Sequence, residues 1–157
     1  MRPSEENLLA SVLDRLVDEE PEVSFEPVPR RLLDMRRVRE LVVRDLENLL
    51  NTRCTVEFPD ASFKEVGRSV FVYGIRDYTS LSPRSAAVRK SLRQDIERAI
   101  AVFEPRLRNV KVHLEAEQKG HSLRFRITAL IVVEPEKEPV QFDTLFDINR
   151  SQYTISR

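Results

Sequence analysis

The feature that most constrains the fold is a change of hydrophobic period near residue 104. On the N-terminal side, apolar residues recur at the spacing of one helix face: Leu92, Ile96, Ala99, Ile100 and Phe103. On the C-terminal side, Val110, Val112 and Leu114 alternate with polar residues, which is the period of a strand. Pro105 lies between the two patterns. Because proline has no backbone N–H and disfavours the helical conformation in the preceding residue, a helix must end here and a strand can begin.

Glu104 and Arg106, on either side of Pro105, predict a charge pair. A carboxylate at the C-terminus of a helix faces the negative end of the helix dipole, which is unfavourable unless a cation compensates for it. Arg106 is the nearest cation on a defined turn. We therefore predict that Glu104, Pro105 and Arg106 form a structural motif that fixes the joint. The alternative is that Arg106 points outward and binds a partner directly.

The N-terminal part of the chain predicts a helical arm. Residues 4–19 carry an amphipathic stripe after Ser4, a plausible N-cap, and residues 20–30 contain three prolines typical of an extended linker. We divide the chain into an arm and linker, 1–30, and a main α+β domain, 31–157. Such a short amphipathic helix either docks on a partner or packs on its own domain.

Two longer helices follow the linker. The first is predicted over 31–51 and the second from Ser82-Pro83 to Phe103, with Asp95 among its outward residues. Asp45 lies close to the apolar stripe, so we expect a buried cation or a backbone donor beside it. Arg53 fits a cation at the helix C-terminus, with a partner contact as the alternative. The connection 54–81 has little regular pattern and is long enough to suggest a functional role.

The rest of the chain predicts an antiparallel sheet. Residues 107–117 and 121–133 alternate as a hairpin, and 134–139 form a charged turn bounded by prolines. Residues 140–148 then alternate again, and 153–155 form a brief last strand. The expected fold class is α+β: two long helices packed on one face of a small antiparallel β-sheet, with an N-terminal helical arm.

The composition argues against several classes of function. Lys+Arg and Asp+Glu balance at 26 each, so the chain has no net field that attracts nucleic acid or an anionic membrane. It has no apolar run near twenty residues and no signal-peptide pattern, which predicts a soluble protein that stays inside the cell. The single Cys54 fits a reducing compartment. Three glycines argue against a phosphate-binding loop, and no cofactor is expected.

The sequence gives little support for catalysis or metal binding. A glycosidase needs two carboxylates with separated pKa values, and among the acids only Glu104 is suggestively placed, beside an arginine that would spoil it as a general acid. The chain has no tryptophan to stack on a sugar ring. His113 and His121 flank a predicted turn, but no further ligands complete a metal site. We predict no enzymatic activity and no metal.

Several phrases resemble the GPW family of phage baseplate wedge proteins. Phe103-Glu104-Pro105-Arg106-Leu107, followed by the strand 109–114, is similar to the Glu-Pro-Arg signature of that family. Residues 44–53, 69–74 and 142–147 resemble further family segments, although Phe71 and Val72 depart from the usual Leu and Asn. The match is closest to the TssE-type members, which serve the bacterial type VI secretion system.

The resemblance implies a structural role in the cytoplasm, in a baseplate at the inner face of the cell envelope. Its implied partners are other wedge subunits, of TssF, TssG and TssK type, and subunits of the contractile sheath, which the protein would join to the wedge. No nucleic acid and no membrane insertion are expected. Possible partner contacts are Arg53, Tyr73, Asp143, Tyr153 and Ile155.

A sheet edge completed by a sheath strand also fits this resemblance, because Tyr153-Thr154-Ile155 is too short to cover its neighbour 140–148.

Two alternative functions stay open. One is a wedge protein of a phage tail or another contractile particle. The other is a muramidase that cleaves peptidoglycan.

Overall fold

The computed structural model describes residues 8–9, 16, 21–22, 32–33, 35–56, 62–82, 85–115, 122–133, 136–147, 150 and 152–156. Most of the predicted arm and linker, and His121, lie outside these residues. Leu8–Leu9 (β1) pairs antiparallel with Leu32–Leu33 (β2). The prediction of one helix through 4–19 is therefore wrong at these two leucines, whose backbones pair with another segment instead of forming a helical ladder.

The first long helix, α1, spans Met35–Asn51, four residues shorter at its start than predicted. Its buried residues recur at helical spacing, and they are Val38, Leu41, Val42, Val43, Leu46, Leu49 and Leu50. The helix ends where the Thr52 N–H and hydroxyl both donate to the Asn48 carbonyl.

The second long helix, α2, spans Ala86–Phe103. The predicted start at Ser82-Pro83 is wrong, because Ser85 is the N-cap: its backbone is extended and its hydroxyl accepts a hydrogen bond from the Val88 N–H at 3.5 Å. The helix ends at Phe103, as predicted, immediately before Glu104-Pro105. The connection between the helices contains two short 3-10 turns, Val66–Arg68 and Val70–Val72.

Four strands form one antiparallel sheet in the order β3-β4-β5-β6. They are Leu107–Leu114 (β3), Ser122–Val133 (β4), Glu136–Asp147 (β5) and Gln152–Ser156 (β6). The prediction of a turn over 134–139 is wrong for 136–139, which pair with residues 130–133 of β4. Proline is tolerated at Pro139 because β6 pairs only with 143–147, so the strand is an edge at this point.

Both helices and all four strands of this sheet contribute to one hydrophobic core. The largest fully buried side chains in the sheet are Phe125, Ile127 and Ile131 on β4 and Phe142 on β5. In the helices they are Val42, Leu46, Leu49, Leu50, Leu92, Ile96 and Ile100. The described chain is thus an α+β domain, as predicted. Within it, no helix is long and apolar enough to cross a membrane.

Candidate functional site

The joint between α2 and β3 holds a buried charge pair. The Arg106 Nε donates to Glu104 Oε1 and its Nη2 donates to Oε2, both at 2.6 Å, so the pair is bidentate. The Glu104 residue is 4 % exposed. The backbone also turns tightly here, because the Leu107 N–H donates to the Glu104 carbonyl at 3.0 Å. The structure therefore confirms the predicted ion pair across Pro105.

Asp45 on α1 completes the group, which we call the charge brace: Asp45, Glu104 and Arg106. The Arg106 Nη2 donates to Asp45 Oδ2 at 2.5 Å, although the two residues are 61 positions apart in the chain. Arg44 binds the other Asp45 oxygen, with Nε and Nη2 at 3.0 and 2.8 Å. The expectation that Asp45 meets a cation is confirmed. The brace ties the first long helix to the joint between the second helix and the sheet.

The electrostatics of the brace favour charged Arg106. Burial of the guanidinium opposes its charge, but the hydrogen bonds and charges of Glu104 and then Asp45 outweigh this, and the pKa of Arg106 is raised. Tyr73 lies close by and packs edge-on against Phe103, with ring centroids 5.1 Å apart. Its pKa is raised by burial first, then by the charges of Asp45 and Glu104. The two carboxylates of the brace are balanced by Arg106 together with Arg44, which binds Asp45.

The brace is poorly arranged for reaction chemistry. Both Glu104 oxygens are engaged by one guanidinium and little of the residue reaches solvent, so the carboxyl is not presented to a sugar oxygen. Among the described residues, no group of three or more His, Cys, Asp and Glu side chains is placed to hold a metal ion. The geometry supports a mechanical role at this joint.

Asp95 is a second buried acid. The sequence-based prediction that it lies among the outward residues of the helix is therefore wrong. Asp95 is 6 % exposed and accepts hydrogen bonds from Arg76 Nε and Nη2, at 2.6 and 2.9 Å, and from the Tyr78 hydroxyl at 2.6 Å. These contacts fasten the connection 75–79 to α2. The signal was present, since Asp95 follows Leu92 by three positions and precedes Ala99 by four, which places it on the buried face.

We predict that Tyr78→Phe lowers the free energy of unfolding at neutral pH by about 1.5–3 kcal/mol, because a hydrogen bond to a buried carboxylate is lost. Burial and the hydrogen bond to Asp95 raise the pKa of Tyr78 from 10.0 to about 12. The neutral phenol is therefore favoured in the folded state, and its stabilisation is present below pH 10 and lost as the pH rises towards 12. Urea unfolding across this range should show a shallower decline for Tyr78→Phe than for the wild type, and parallel curves would contradict the assignment.

The other predicted contact residues are placed in different environments. Arg53 pairs with Asp77 and Asp143 pairs with Arg126, with all four side chains substantially exposed. Tyr153 and Ile155 are buried in the core, 5 % and 8 % exposed. Tyr73 lies beside the brace, whereas Arg53 and Asp143 pair with other residues. For all five predicted contact residues, a role as a partner contact stays a prediction.

Polar side chains of α1 bind the outer edge of β6, which the sequence prediction did not foresee. The Tyr153 N–H donates to Asn51 Oδ1 at 2.8 Å, and the Asn51 Nδ2 donates to the Tyr153 carbonyl at 3.0 Å. The Ile155 N–H donates to Glu47 Oε1 at 3.0 Å. Because these backbone groups already have partners, β6 is not a free edge at residues 153 and 155.

Fold and site together define the class: a small α+β protein in which an internally paired charge brace ties the first long helix to the joint between the second helix and the sheet. The family model of baseplate wedge protein gp25 matches residues 36–136, which include the whole brace. The chain belongs to this family.

A solved chain from "The baseplate complex from the type VI secretion system" is similar in fold, with a TM-score of 0.51 and 16 % sequence identity. The similarity covers 78 % of this chain and 96 % of that one. No curated protein matches the sequence.

Proposed function

We propose that the protein is a TssE-type structural subunit of a type VI secretion baseplate wedge. The observation that carries this proposal is the family match over 36–136. The fold similarity to a chain of a type VI baseplate complex supports the type VI branch over a phage tail or another contractile particle. The mechanism is assembly: the brace holds α1 and the helix–strand joint in one shape that wedge partners can bind.

Co-purification tests this role directly. A tagged chain, expressed with the genes that flank its own, should recover other wedge subunits, of TssF, TssG and TssK type, from the cytoplasm. Neighbouring genes for a secretion sheath and tube would favour the type VI assignment, whereas phage tail genes would favour the alternative. Recovery of the tagged chain alone, in cells that make those subunits, would contradict the proposal.

We also propose that the protein is not an enzyme. The muramidase alternative requires a carboxyl group that can protonate a glycosidic oxygen, and Glu104 is instead held by both of its oxygens. Purified protein should leave peptidoglycan intact in a zymogram. Lysis that Glu104→Gln abolishes and an exposed control substitution such as Glu115→Gln retains would establish the muramidase.

The joining of wedge to sheath is proposed to use an uncovered part of β5. In an antiparallel sheet, successive residues direct their N–H and C=O groups to opposite neighbours. The N–H groups of Tyr153 and Ile155 point away from β5, because they donate to side chains of α1. The register between β5 and β6 then requires the odd-numbered residues of β5 to direct their N–H and C=O groups towards the β6 side. Lys137, Pro139 and Gln141 then face the open side beyond the end of β6. A sheath strand added here would bond to their backbone groups.

We predict that Gln141→Pro blocks sheath docking while sparing the fold, because it removes an outward N–H that no neighbouring strand of this sheet uses. Gln141→Ala is the matched control, since it removes the same side chain and keeps the N–H. Wedge co-purification and thermal unfolding should be close to wild type for both variants, and sheath assembly should fail only for the proline. Equal sheath assembly by both variants would show that this edge is not the docking site.

A further inference from the structure

A groove of about 440 Å³ lies between α2 and β3, away from the brace. Its lining residues are Lys90 and Arg93 on the helix and Val112, His113 and Leu114 on the strand. Lys90, Arg93 and His113 are exposed, whereas Val112 is buried and Leu114 partly so. The groove therefore combines a basic rim with a small apolar floor at Leu114, because Val112 is only 2 % exposed.

The basic residues of this rim lack acidic partners. Most other described arginines form ion pairs within the chain, as Arg39 does with Glu138 and Arg76 with Asp95. Among the described residues, Lys90, Arg93 and His113 form no ion pair or side-chain hydrogen bond. In a chain whose charges balance, the unpaired Lys90 and Arg93 give a local excess of positive charge.

The neighbouring acids are already engaged. Glu97 on α2 accepts a hydrogen bond from the Val112 N–H at 2.9 Å. Glu115, just beyond the groove, pairs with Arg126. Because Glu97 occupies the backbone N–H of Val112, the edge of β3 is closed to strand addition at this residue. A ligand must be recognised here by the side chains of the rim and floor.

We propose that this groove binds an acidic, partly apolar peptide segment of a partner protein. Lys90 and Arg93 hold its carboxylates, and an apolar side chain of the segment packs on Leu114. The side chain of His113 lies on the other face of the strand, because successive residues of a strand alternate between the two faces. Charge complementarity selects an acidic occupant, and the apolar floor favours a peptide over nucleic acid, whose phosphates would gain nothing from it. This surface is separate from the brace and from the open edge of β5, so its test is independent of the proposed function.

Fluorescence anisotropy with defined probes tests the proposal on the full chain. The probes are a short labelled peptide in which glutamate alternates with valine, the same peptide with glutamine replacing glutamate, and a labelled thymidine oligonucleotide. We expect the glutamate peptide to bind at least about tenfold more tightly than the glutamine peptide. Added salt should weaken this preference.

Charge reversal locates the binding to the groove. Lys90→Glu with Arg93→Glu should weaken binding of the glutamate peptide by about tenfold or more, and Lys90→Gln with Arg93→Gln by less. Lys64→Glu with Arg68→Glu is the matched control, because it makes the same change of charge at exposed residues outside the groove and should change the Kd by less than about twofold. Circular dichroism should confirm that all variants are folded.

Three results would overturn the proposal. They are equal affinity for the two peptides, equal weakening by the two charge-reversed pairs, and oligonucleotide binding that matches the glutamate peptide and is lost with Lys90→Glu and Arg93→Glu. The last result would assign the groove to nucleic acid instead.

Discussion

Replacing Glu104 with glutamine should lower the free energy of unfolding by about 3 kcal/mol or more. The substitution keeps the shape of the side chain but removes the buried carboxylate that holds Arg106 through two hydrogen bonds. It also places an amide N–H donor next to a guanidinium N–H donor, so one of the two hydrogen bonds of the bidentate pair is lost and the two donors repel each other. For a domain of this size the melting temperature should fall by about 6–12 °C, measured by differential scanning calorimetry.

Glu115→Gln is the matched control for this prediction, because it makes the same chemical change in an exposed ion pair, with Arg126. Its cost should be below about 1 kcal/mol. An unchanged melting temperature for Glu104→Gln, together with normal wedge assembly, would contradict the structural role of the brace. If Arg106→Ala folds normally and fails only in wedge binding, Arg106 is instead a direct partner contact.

Gly74→Ala should have the other large effect on stability. Gly74 has φ +105°, and a Cβ atom there would lie 2.3 Å from the Thr52 carbonyl oxygen. That oxygen accepts the Ile75 N–H at 2.9 Å, and the Cys54 N–H donates to the Ile75 carbonyl at 2.9 Å. The added methyl group must separate these two segments, which would displace buried Ile75. We expect a loss of about 3 kcal/mol or more in the free energy of unfolding.

Gly67→Ala tests whether the effect is specific to this close contact. A Cβ atom at Gly67 would meet nothing within 4 Å, and the residue does not have the positive φ found at Gly74. The substitution should be neutral or stabilising by up to about 1 kcal/mol, because alanine reduces the freedom of the unfolded chain. Similar denaturant midpoints for the two variants would contradict the steric argument.

The structural features that could be predicted were those that depend on residues close together in the sequence. The missing N–H of Pro105 ends a helix whatever surrounds it, so the helix–strand joint and the pair across it followed from neighbouring residues. The contact between Asp45 and Arg106 was only partly predictable. A carboxylate on an apolar stripe is costly without a hydrogen-bond or charge partner, so a partner for Asp45 could be expected. The partner, Arg106, is 61 positions away in the chain, and its position depends on how the helices pack.

The errors came from treating polarity as exposure. Asp95 was assigned to the surface because it is charged, although its spacing placed it on the buried face. Residues 136–139 were assigned to a turn because they combine charges with Pro139, although proline is compatible with an edge strand. The Asn51 and Glu47 contacts to β6 join residues about one hundred positions apart and have no local signal.

Electron cryomicroscopy of the assembly purified through the tagged chain would test the central claim most directly. The account predicts a baseplate wedge in which this α+β domain is a built-in subunit, with Asp45, Glu104 and Arg106 paired inside it as they are in the isolated chain. Assemblies that contain the other wedge subunits in full but lack density for this domain would contradict it.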